Sequence, residues 1–157
     1  IVGLKRTAAA GDGFVGSLQS YLAWYEKNNG IATRLVLPAE PAESLFSRGI
    51  EVQLLRIVLE ALTNIRKHAK AGQVKVVIEK TGRQAVILIE DDGCGFNMVA
   101  VPADKKSFGL QIMAERAAEA GGRLEIESAP GAGTRVRVYF SPDETESREA
   151  QGEDIIG

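Results

Sequence analysis

Two carboxylates and two glycines follow directly on an apolar run in the segment ILIEDDGCGF, residues 87–96. Asp91 and Asp92 end the run, and Gly93 and Gly95 follow with one residue between them. An ionised carboxylate only accepts hydrogen bonds, and a glycine lets backbone approach closely because it has no Cβ. The same residues also suit an ordinary turn, since aspartate bonds its own backbone and glycine tolerates positive φ. The segment alone therefore leaves a ligand site and a plain turn open.

A second group of polar side chains lies on one predicted helix. Its members follow at i, i+4, i+7 and i+8: Glu60, Asn64, Lys67 and His68. This spacing places the four on one face of an α-helix, away from an apolar stripe on the other side. The stripe consists of Leu55, Val58, Leu62, Ile65 and Ala69. A helix face in contact with solvent has the same pattern, so this group alone does not establish a site.

Charge and reactive residues exclude several classes of protein. Nineteen basic and 21 acidic residues give a formal charge of -2, so no global field favours a polyanion and we expect no nucleic-acid binding. Cys94 is the only cysteine, which excludes an internal disulfide or a multi-cysteine metal site and fits a reducing compartment. His68 is the only histidine, and no G-x-S-x-G motif accompanies it. A Ser-His-Asp triad is therefore not indicated.

Length and composition fit one globular domain. The chain has 157 residues, of which 45% are apolar and 25% charged. No apolar run approaches the roughly 20 residues that cross a bilayer, so we expect the chain as given to be soluble. We also expect the domain to be cytoplasmic. Because the chain begins at Ile1 rather than Met, we expect it to be part of a longer protein. Whether that parent is anchored in a membrane stays open.

Hydrophobic periodicity predicts three helices and five strands. The helices are expected at about 14–28, at 50–69, and from 108 to the stop signal Gly121-Gly122. The strands are IATRLVL, QVKVVIEK, QAVILIED, RLEIES and TRVRVYF. Thr81-Gly82-Arg83 joins the second and third into an antiparallel hairpin, and a Pro-rich connection spans 38–47.

Four segments, taken together in this order and spacing, resemble the ATP-binding domain of the GHKL superfamily of gyrase, heat-shock chaperone, histidine kinase and MutL ATPases. They are LLRIVLEALTNIRKHAKA, DDGCGF, FGLQIMAERAAEAGGRLEIES and GAGTRVRV. Within the superfamily they look like the catalytic domain of two-component sensor histidine kinases, of the subfamily paired with helix-turn-helix response regulators. The resemblance is dense over 50–140 and loose over 13–37.

The resemblance implies a fold and a division of the chain. The expected fold class is α/β, a two-layer sandwich of the Bergerat type in which a mixed sheet of about five strands carries three main helices on one face. Residues 1–12 would connect to an upstream region and 13–140 would form the ATP-binding domain. Residues 141–157 form an acidic tail that we expect to be disordered.

The resemblance also assigns roles at the base of the nucleotide. Asp91 would accept a hydrogen bond from the exocyclic amine of adenine. Gly93 and Gly95 would let backbone approach the base and the sugar. Thr134 would support the same site through its hydroxyl and a water molecule. Asp92, Cys94 and Phe96 are interpreted as structural.

At the phosphates, the resemblance assigns roles to the polar helix face. Asn64 would offer a carbonyl oxygen to Mg²⁺, which keeps several waters and bridges phosphate oxygens. Glu60 would lie near that metal or its waters, and Lys67 would balance phosphate charge. His68 would pack near the nucleotide, with a role as proton shuttle as the less favoured alternative.

The long segment 97–108 is expected to be a lid over the phosphates. Gly109 and Leu110 would open the following helix, where free backbone N–H groups and the helix dipole favour anions. Related chains carry more glycine just before this point, whereas this chain has Ser107 and Phe108. Lys105 and Lys106 either take part or belong to the solvated surface.

The function implied is ATP binding for γ-phosphoryl transfer to a histidine on a dimerisation domain, followed by relay to a response regulator. Expected partners are ATP with Mg²⁺, that phosphoacceptor domain and the cognate regulator, with the parent a homodimer through the dimerisation domain. We expect no self-phosphorylation of this chain, because its sole histidine lies in the nucleotide-binding helix. Two alternatives stay open: a nucleotide-sensing interaction module without transfer, and a serine kinase of the anti-sigma-factor type.

Overall fold

The computed structural model describes residues 13–39, 45–97 and 107–141. The helices are α1 (Phe14–Asn29), α2 (Arg48–Asn64) and α3 (Ser107–Glu119), and a π turn, Ile65–Ala69, continues α2. The strands are β1 (Ala32–Val36), β2 (Gln73–Thr81), β3 (Gln84–Asp91), β4 (Arg123–Ser128) and β5 (Thr134–Phe140). The predicted element order and the α/β class are confirmed. The predicted segment 1–12 and the tail beyond Ser141 lie outside the described residues.

The five strands form one mixed sheet in the order β1-β2-β3-β5-β4. β1 pairs with β2 in parallel, and the other three pairings are antiparallel. Alternate residues of β3 are buried, and the register aligns Ile87 and Ile89 with buried residues of the strands on either side. One such row runs through Val76, Ile89 and Val136, and a second follows through Ile78, Ile87 and Val138. One face of the sheet is therefore apolar.

The helices cover this apolar face. α2 packs against both α1 and α3, and its Leu54, Ile57 and Val58 are entirely inaccessible to solvent. Each fully buried aliphatic side chain stabilises the fold by about 1.5–3 kcal/mol relative to an exposed one. The predicted stripe on α2 is narrower than the buried face, which also includes Ile50, Leu54, Ile57 and Ala61. This two-layer arrangement is the one predicted.

The helix ends follow the sequence signals. The Ser47 hydroxyl accepts a hydrogen bond from the Ile50 backbone N–H (3.4 Å) and caps α2. α3 ends in a Schellman motif, in which the Gly121 N–H donates to the Ala118 carbonyl and the Gly122 N–H to the Ala117 carbonyl. Gly121, with φ of +81°, supplies the left-handed residue that this stop requires.

The prediction of one regular α-helix over 50–69 is wrong at its end. From Ile65 the chain forms a π turn. Its hydrogen bonds join residues five apart, whereas those of an α-helix join residues four apart, so the π turn is wider. Lys67 and His68 consequently do not have the α-helical orientation that i+7 and i+8 assume. The Tyr25 hydroxyl of α1 donates to the Leu62 carbonyl (2.9 Å) in the last α turn before this change.

Candidate functional site

A cavity of about 530 Å³ lies between α2 with its π turn, α3, and the ends of β3 and β5. Nine residues predicted for the site line it: Glu60, Asn64, Lys67, His68, Asp91, Gly95, Gly109, Leu110 and Thr134. These residues come from two parts of the fold. We call the group from the strands and their loops the Asp91 end, and the group from the helices the helix end.

At the Asp91 end, the row of aligned residues that follows the apolar rows of the sheet contains three polar residues. Val74, Asp91, Thr134 and Ser128 are aligned across four strands by their register. Asp91 is 5% exposed and is the buried charged residue among those described. Burial raises the pKa of its carboxyl, while the hydrogen bond from the Gly93 backbone opposes the rise. A buried acceptor at the end of an apolar wall suits a ligand that brings a hydrogen-bond donor.

Gly93 lies behind this carboxylate and does not line the cavity. Its N–H donates to Asp91 Oδ1 (2.7 Å), and a Cβ at Gly93 would stand 2.3 Å from the Ala69 carbonyl oxygen. The neighbouring Cys94 N–H donates to the same Ala69 carbonyl (2.7 Å). The absence of a side chain at Gly93 thus allows the loop after β3 to pack on the π turn and hold Asp91 in place.

Gly95 and Gly133 bring two loops together backbone against backbone. A Cβ at Gly95 would lie 2.1 Å from the Ala129 carbonyl oxygen, and one at Gly133 would lie 2.1 Å from the Asp91 carbonyl oxygen. Both residues also have positive φ, +61° and +71°. No side chain fits at either position, so these glycines fix the wall around Asp91.

The Ser128 hydroxyl joins β4 to both loops. It accepts a hydrogen bond from the Phe96 backbone N–H (2.9 Å) and donates to the Gly133 carbonyl (3.0 Å). It also lies 2.8 Å from Thr134 Oγ1. Ser128 was not singled out in the sequence, because a serine at the end of a strand resembles any turn residue.

The helix end is built from side chains. Glu60 and Asn64 project from α2 and are partly buried, whereas Lys67 and His68 stand exposed on the π turn. A Cβ at Gly109 would lie 2.6 Å from Asn64 Nδ2 and 2.8 Å from Glu60 Oε1. The first turn of α3 therefore lies directly on the polar face of α2.

Oxygen-bearing side chains are present at the helix end, but the described residues hold no cluster of three or more His, Cys, Asp or Glu arranged for a metal ion. The carboxylate of Glu60 and the amide of Asn64 are hard oxygen donors of the kind Mg²⁺ prefers. Mg²⁺ usually takes one or two protein ligands and completes its shell with waters and phosphates. The donor set fits a magnesium ion that arrives with a polyphosphate.

The residues interpreted as structural divide into two groups. Asp92 accepts hydrogen bonds from the backbone N–H groups of Gln73 (3.0 Å) and Gly72 (2.8 Å), which lower the pKa of its carboxyl. The Cys94 thiol donates to the His68 carbonyl (3.4 Å). Phe96, in contrast, lines the cavity, which its interpretation as a structural residue did not include. An aromatic residue directly after Gly95 was the available signal.

Further lining residues were missed because they look like core. They are Ala61, Ile65, Ala69, Ile89, Met113 and Val136. All belong to the apolar patterns of their elements, and periodicity does not distinguish a wall of a cavity from a packed interior. Most of the predicted lid, with Lys105 and Lys106, lies outside the described residues.

Fold and cavity together define a nucleotide-binding α/β sandwich, and comparison with known proteins supplies the family. The family model of histidine kinase-, DNA gyrase B- and HSP90-like ATPases matches residues 49–144. The chain belongs to this family. None of the described helices is both long and apolar enough to cross a membrane.

Two curated relatives are sensor kinases. The sensor histidine kinase LiaS of Bacillus subtilis is 42% identical over 96 residues, which are 61% of this chain and 26% of LiaS. The histidine-protein kinase/phosphatase DegS of Brevibacillus brevis is 36% identical over 140 residues, which are 88% of this chain and 35% of DegS. The chain thus spans about a quarter to a third of the length of these relatives.

Solved structures agree in fold. The histidine kinase domain of the blue-light activated kinase from Erythrobacter litoralis superposes with a TM-score of 0.65 at 18% identity, covering 85% of this chain and 63% of that one. The kinase AdeS of Acinetobacter baumannii gives a TM-score of 0.63 at 15% identity, covering 82% and 62%. The predicted resemblance to ATP-binding domains of sensor histidine kinases is confirmed.

Proposed function

We propose that the cavity binds Mg·ATP and positions it for γ-phosphoryl transfer to a histidine on a dimerisation domain. The observation that carries this proposal is the buried Asp91 carboxylate, which lines the same cavity as the polar side chains of α2 and several apolar residues. Such a cavity matches a ligand that has a flat base with a donor at one end and negative charge at the other.

The base would lie at the Asp91 end. An ionised Asp91 would accept from the exocyclic amine of adenine, and Thr134 would bind the same edge through a water molecule. Ile89, Met113 and Val136 are buried or largely buried apolar residues that line the cavity and would contact the ring. Gly95 would leave space beside the base and sugar, whereas Gly93 would act through its hydrogen bond to Asp91.

The phosphates would lie at the helix end. Asn64 would ligate Mg²⁺, Glu60 would hold the metal's waters, and Lys67 would balance phosphate charge. When bound, the metal would neutralise charge on the phosphates. Gly109 and Leu110, in the first turn of α3, would offer backbone N–H groups to an oxygen of the triphosphate. His68 lines the cavity and would pack beside the nucleotide.

Transfer requires a partner domain. We expect the phosphoacceptor histidine to be on a helical dimerisation domain of the parent protein, through which the parent would form a homodimer in the cytoplasm. A response regulator with a helix-turn-helix output domain would receive the phosphoryl group. The sensor kinases among the curated relatives support this assignment.

The chemistry of the phosphorylated product tests the proposal. The chain would be mixed with γ-labelled Mg·ATP and the dimerisation domain of its parent, with Asn64→Ala as the inactive control. We expect acid-labile, alkali-stable label on the dimerisation domain, as for phosphohistidine, and none on the chain itself. Acid-stable label on a partner would instead support a serine kinase, and ATP binding without any transfer would support a nucleotide-sensing module.

A further inference from the structure

The Ser128 hydroxyl makes three contacts at the Asp91 end, and their directions are constrained. A hydroxyl has one proton and two lone pairs. The Phe96 N–H can only donate, and it occupies one lone pair at 2.9 Å. The Gly133 carbonyl can only accept, and it takes the single proton of Ser128 at 3.0 Å.

By distance alone, either hydroxyl could donate in the third contact, which joins Ser128 and Thr134 at 2.8 Å. With the Ser128 proton assigned to the Gly133 carbonyl, this contact is assigned from Thr134 to Ser128. Thr134 lines the cavity, but its own proton points to Ser128. Its oxygen consequently presents only lone pairs to a ligand.

We propose that Ser128 is a positioning residue that determines base specificity, because it makes Thr134 an acceptor beside the acceptor Asp91. The inference rests on the proposed ATP site. A 6-amino purine offers hydrogen atoms at this edge, either directly or through a bridging water. A 6-oxo purine places an acceptor oxygen there, and two acceptors facing each other repel.

Affinities for ADP and IDP, measured by calorimetry, test this role. In Ser128→Ala the Thr134 proton is free to turn toward the bridging water, which can then donate one of its own protons to the 6-oxo group. The preference for ADP over IDP should therefore fall about five- to tenfold, the size of one neutral hydrogen bond. Ser128→Thr keeps a hydroxyl and should restore the preference. Ser47→Ala removes a hydroxyl that caps α2, away from the cavity, and should leave the preference unchanged.

A second variant keeps the inference testable if Ser128→Ala does not fold. Thr134→Val removes the lone pairs, so it should weaken ADP binding and leave IDP binding unchanged or slightly stronger. A larger loss for IDP than for ADP would mean that Thr134 acts as a donor, and an equal loss would mean that it does not discriminate between the two bases; either result would overturn the inference. The same holds if Ser128→Ala keeps the wild-type preference.

The outcomes separate this inference from the function on which it rests. If the wild-type chain binds neither nucleotide, the adenine site is wrong and the role of Ser128 is wrong with it. If the wild type binds ADP and prefers it over IDP, but Ser128→Ala has the same preference, only the role of Ser128 is overturned.

Discussion

The two ends of the cavity are held by different kinds of contact. At the Asp91 end, Gly95 and Gly133 pack against backbone carbonyls at distances that exclude any Cβ. At the helix end, the close neighbours of Gly109 are the tips of the Glu60 and Asn64 side chains. Backbone held in two loops and a sheet has little freedom to shift, whereas a side chain can change rotamer at a cost of about 1 kcal/mol.

This difference suggests a division of labour. The Asp91 end is already shaped before a ligand arrives, so it suits recognition of a rigid base. The helix end has exposed groups that can adjust to a flexible polyphosphate and to its metal ion. We therefore expect substitutions at the Asp91 end to damage the fold or the base preference, and substitutions at the helix end to damage phosphate binding alone.

Glycine substitutions should show the largest contrast. Gly133→Ala places a methyl group 2.1 Å from a backbone oxygen at φ of +71° and should lower the free energy of unfolding by about 3 kcal/mol or more. Gly109→Ala should change it by less than about 1 kcal/mol, because side-chain tips can move and alanine favours helix. Urea unfolding measures both. Gly131→Ala is the control at positive φ in open space, with an expected loss of about 1–2 kcal/mol.

Removal of the amide at Asn64 should separate phosphate from base binding. Asn64→Ala should weaken Mg·ATP binding about tenfold, or about 1.4 kcal/mol, because the metal would lose its protein ligand. Adenosine, which has no phosphates, should bind as before. Asn28→Ala, on the exposed surface of α1, is the matched control. Equal losses for Mg·ATP and adenosine would contradict the separation of the two ends.

Acid should weaken binding at the Asp91 end. Burial raises the pKa of Asp91, and only the ionised carboxylate accepts the adenine amine, so affinity should fall as the pH drops below that raised pKa. The limit is about tenfold per pH unit for one proton. In the free protein, the effect of pH on folding stability has the opposite sign. Because the pKa of Asp91 is raised in the folded state, this group favours the folded state at low pH. Its contribution is lost as the pH rises through the raised pKa.

The pH dependence is best measured with adenosine, whose lack of phosphates removes one competing titration. Asp91→Asn should make the remaining profile flat. A profile that stays steep in Asp91→Asn would assign the titration to another group.

A further prediction concerns the hydrogen bond that supports the helix just before the π turn. Tyr25 is buried with its pKa raised to about 12, chiefly by that burial, and its hydroxyl donates to the Leu62 carbonyl. Tyr25→Phe should lower the free energy of unfolding by about 1–2 kcal/mol, because the Leu62 carbonyl loses one of its two hydrogen-bond donors and keeps only the Ile65 N–H. Tyr21→Phe, at a partly exposed position of the same helix, should change it by less than about 0.5 kcal/mol.

The elements of the fold were accessible from the sequence because each has a strong period or a clear stop. Gly30 ends α1 and Gly121-Gly122 ends α3. Both stops depend on local backbone geometry that glycine predicts from the sequence. The π turn was not accessible, since the residue types of IRKHA do not distinguish it from one more turn of α-helix. The apolar cavity walls were hidden in the core pattern for the same reason.

Within the site, the sequence indicated the polar residues that line the cavity better than the residues that hold them in position. Asp91 and Asn64 stand out by type, and both line the cavity. Ser128 acts through three partners that the chain brings together only when β4, β5 and the loop after β3 are in place. The proposed role of Ser128, which is to orient the hydroxyl proton of Thr134, cannot be predicted from the spacing of residues in the sequence.

The most direct test of the account is the affinity of ADP for two neighbouring aspartate variants. Asp91→Asn should weaken binding by about 1.5–3 kcal/mol, roughly ten- to a hundredfold, because the amide replaces a buried charged acceptor. Asp92→Asn should leave the affinity nearly unchanged, because its side chain bonds the backbone at Gly72 and Gln73 outside the cavity. Calorimetry that finds equal affinities for wild type and Asp91→Asn would contradict the assignment of the base to the Asp91 end.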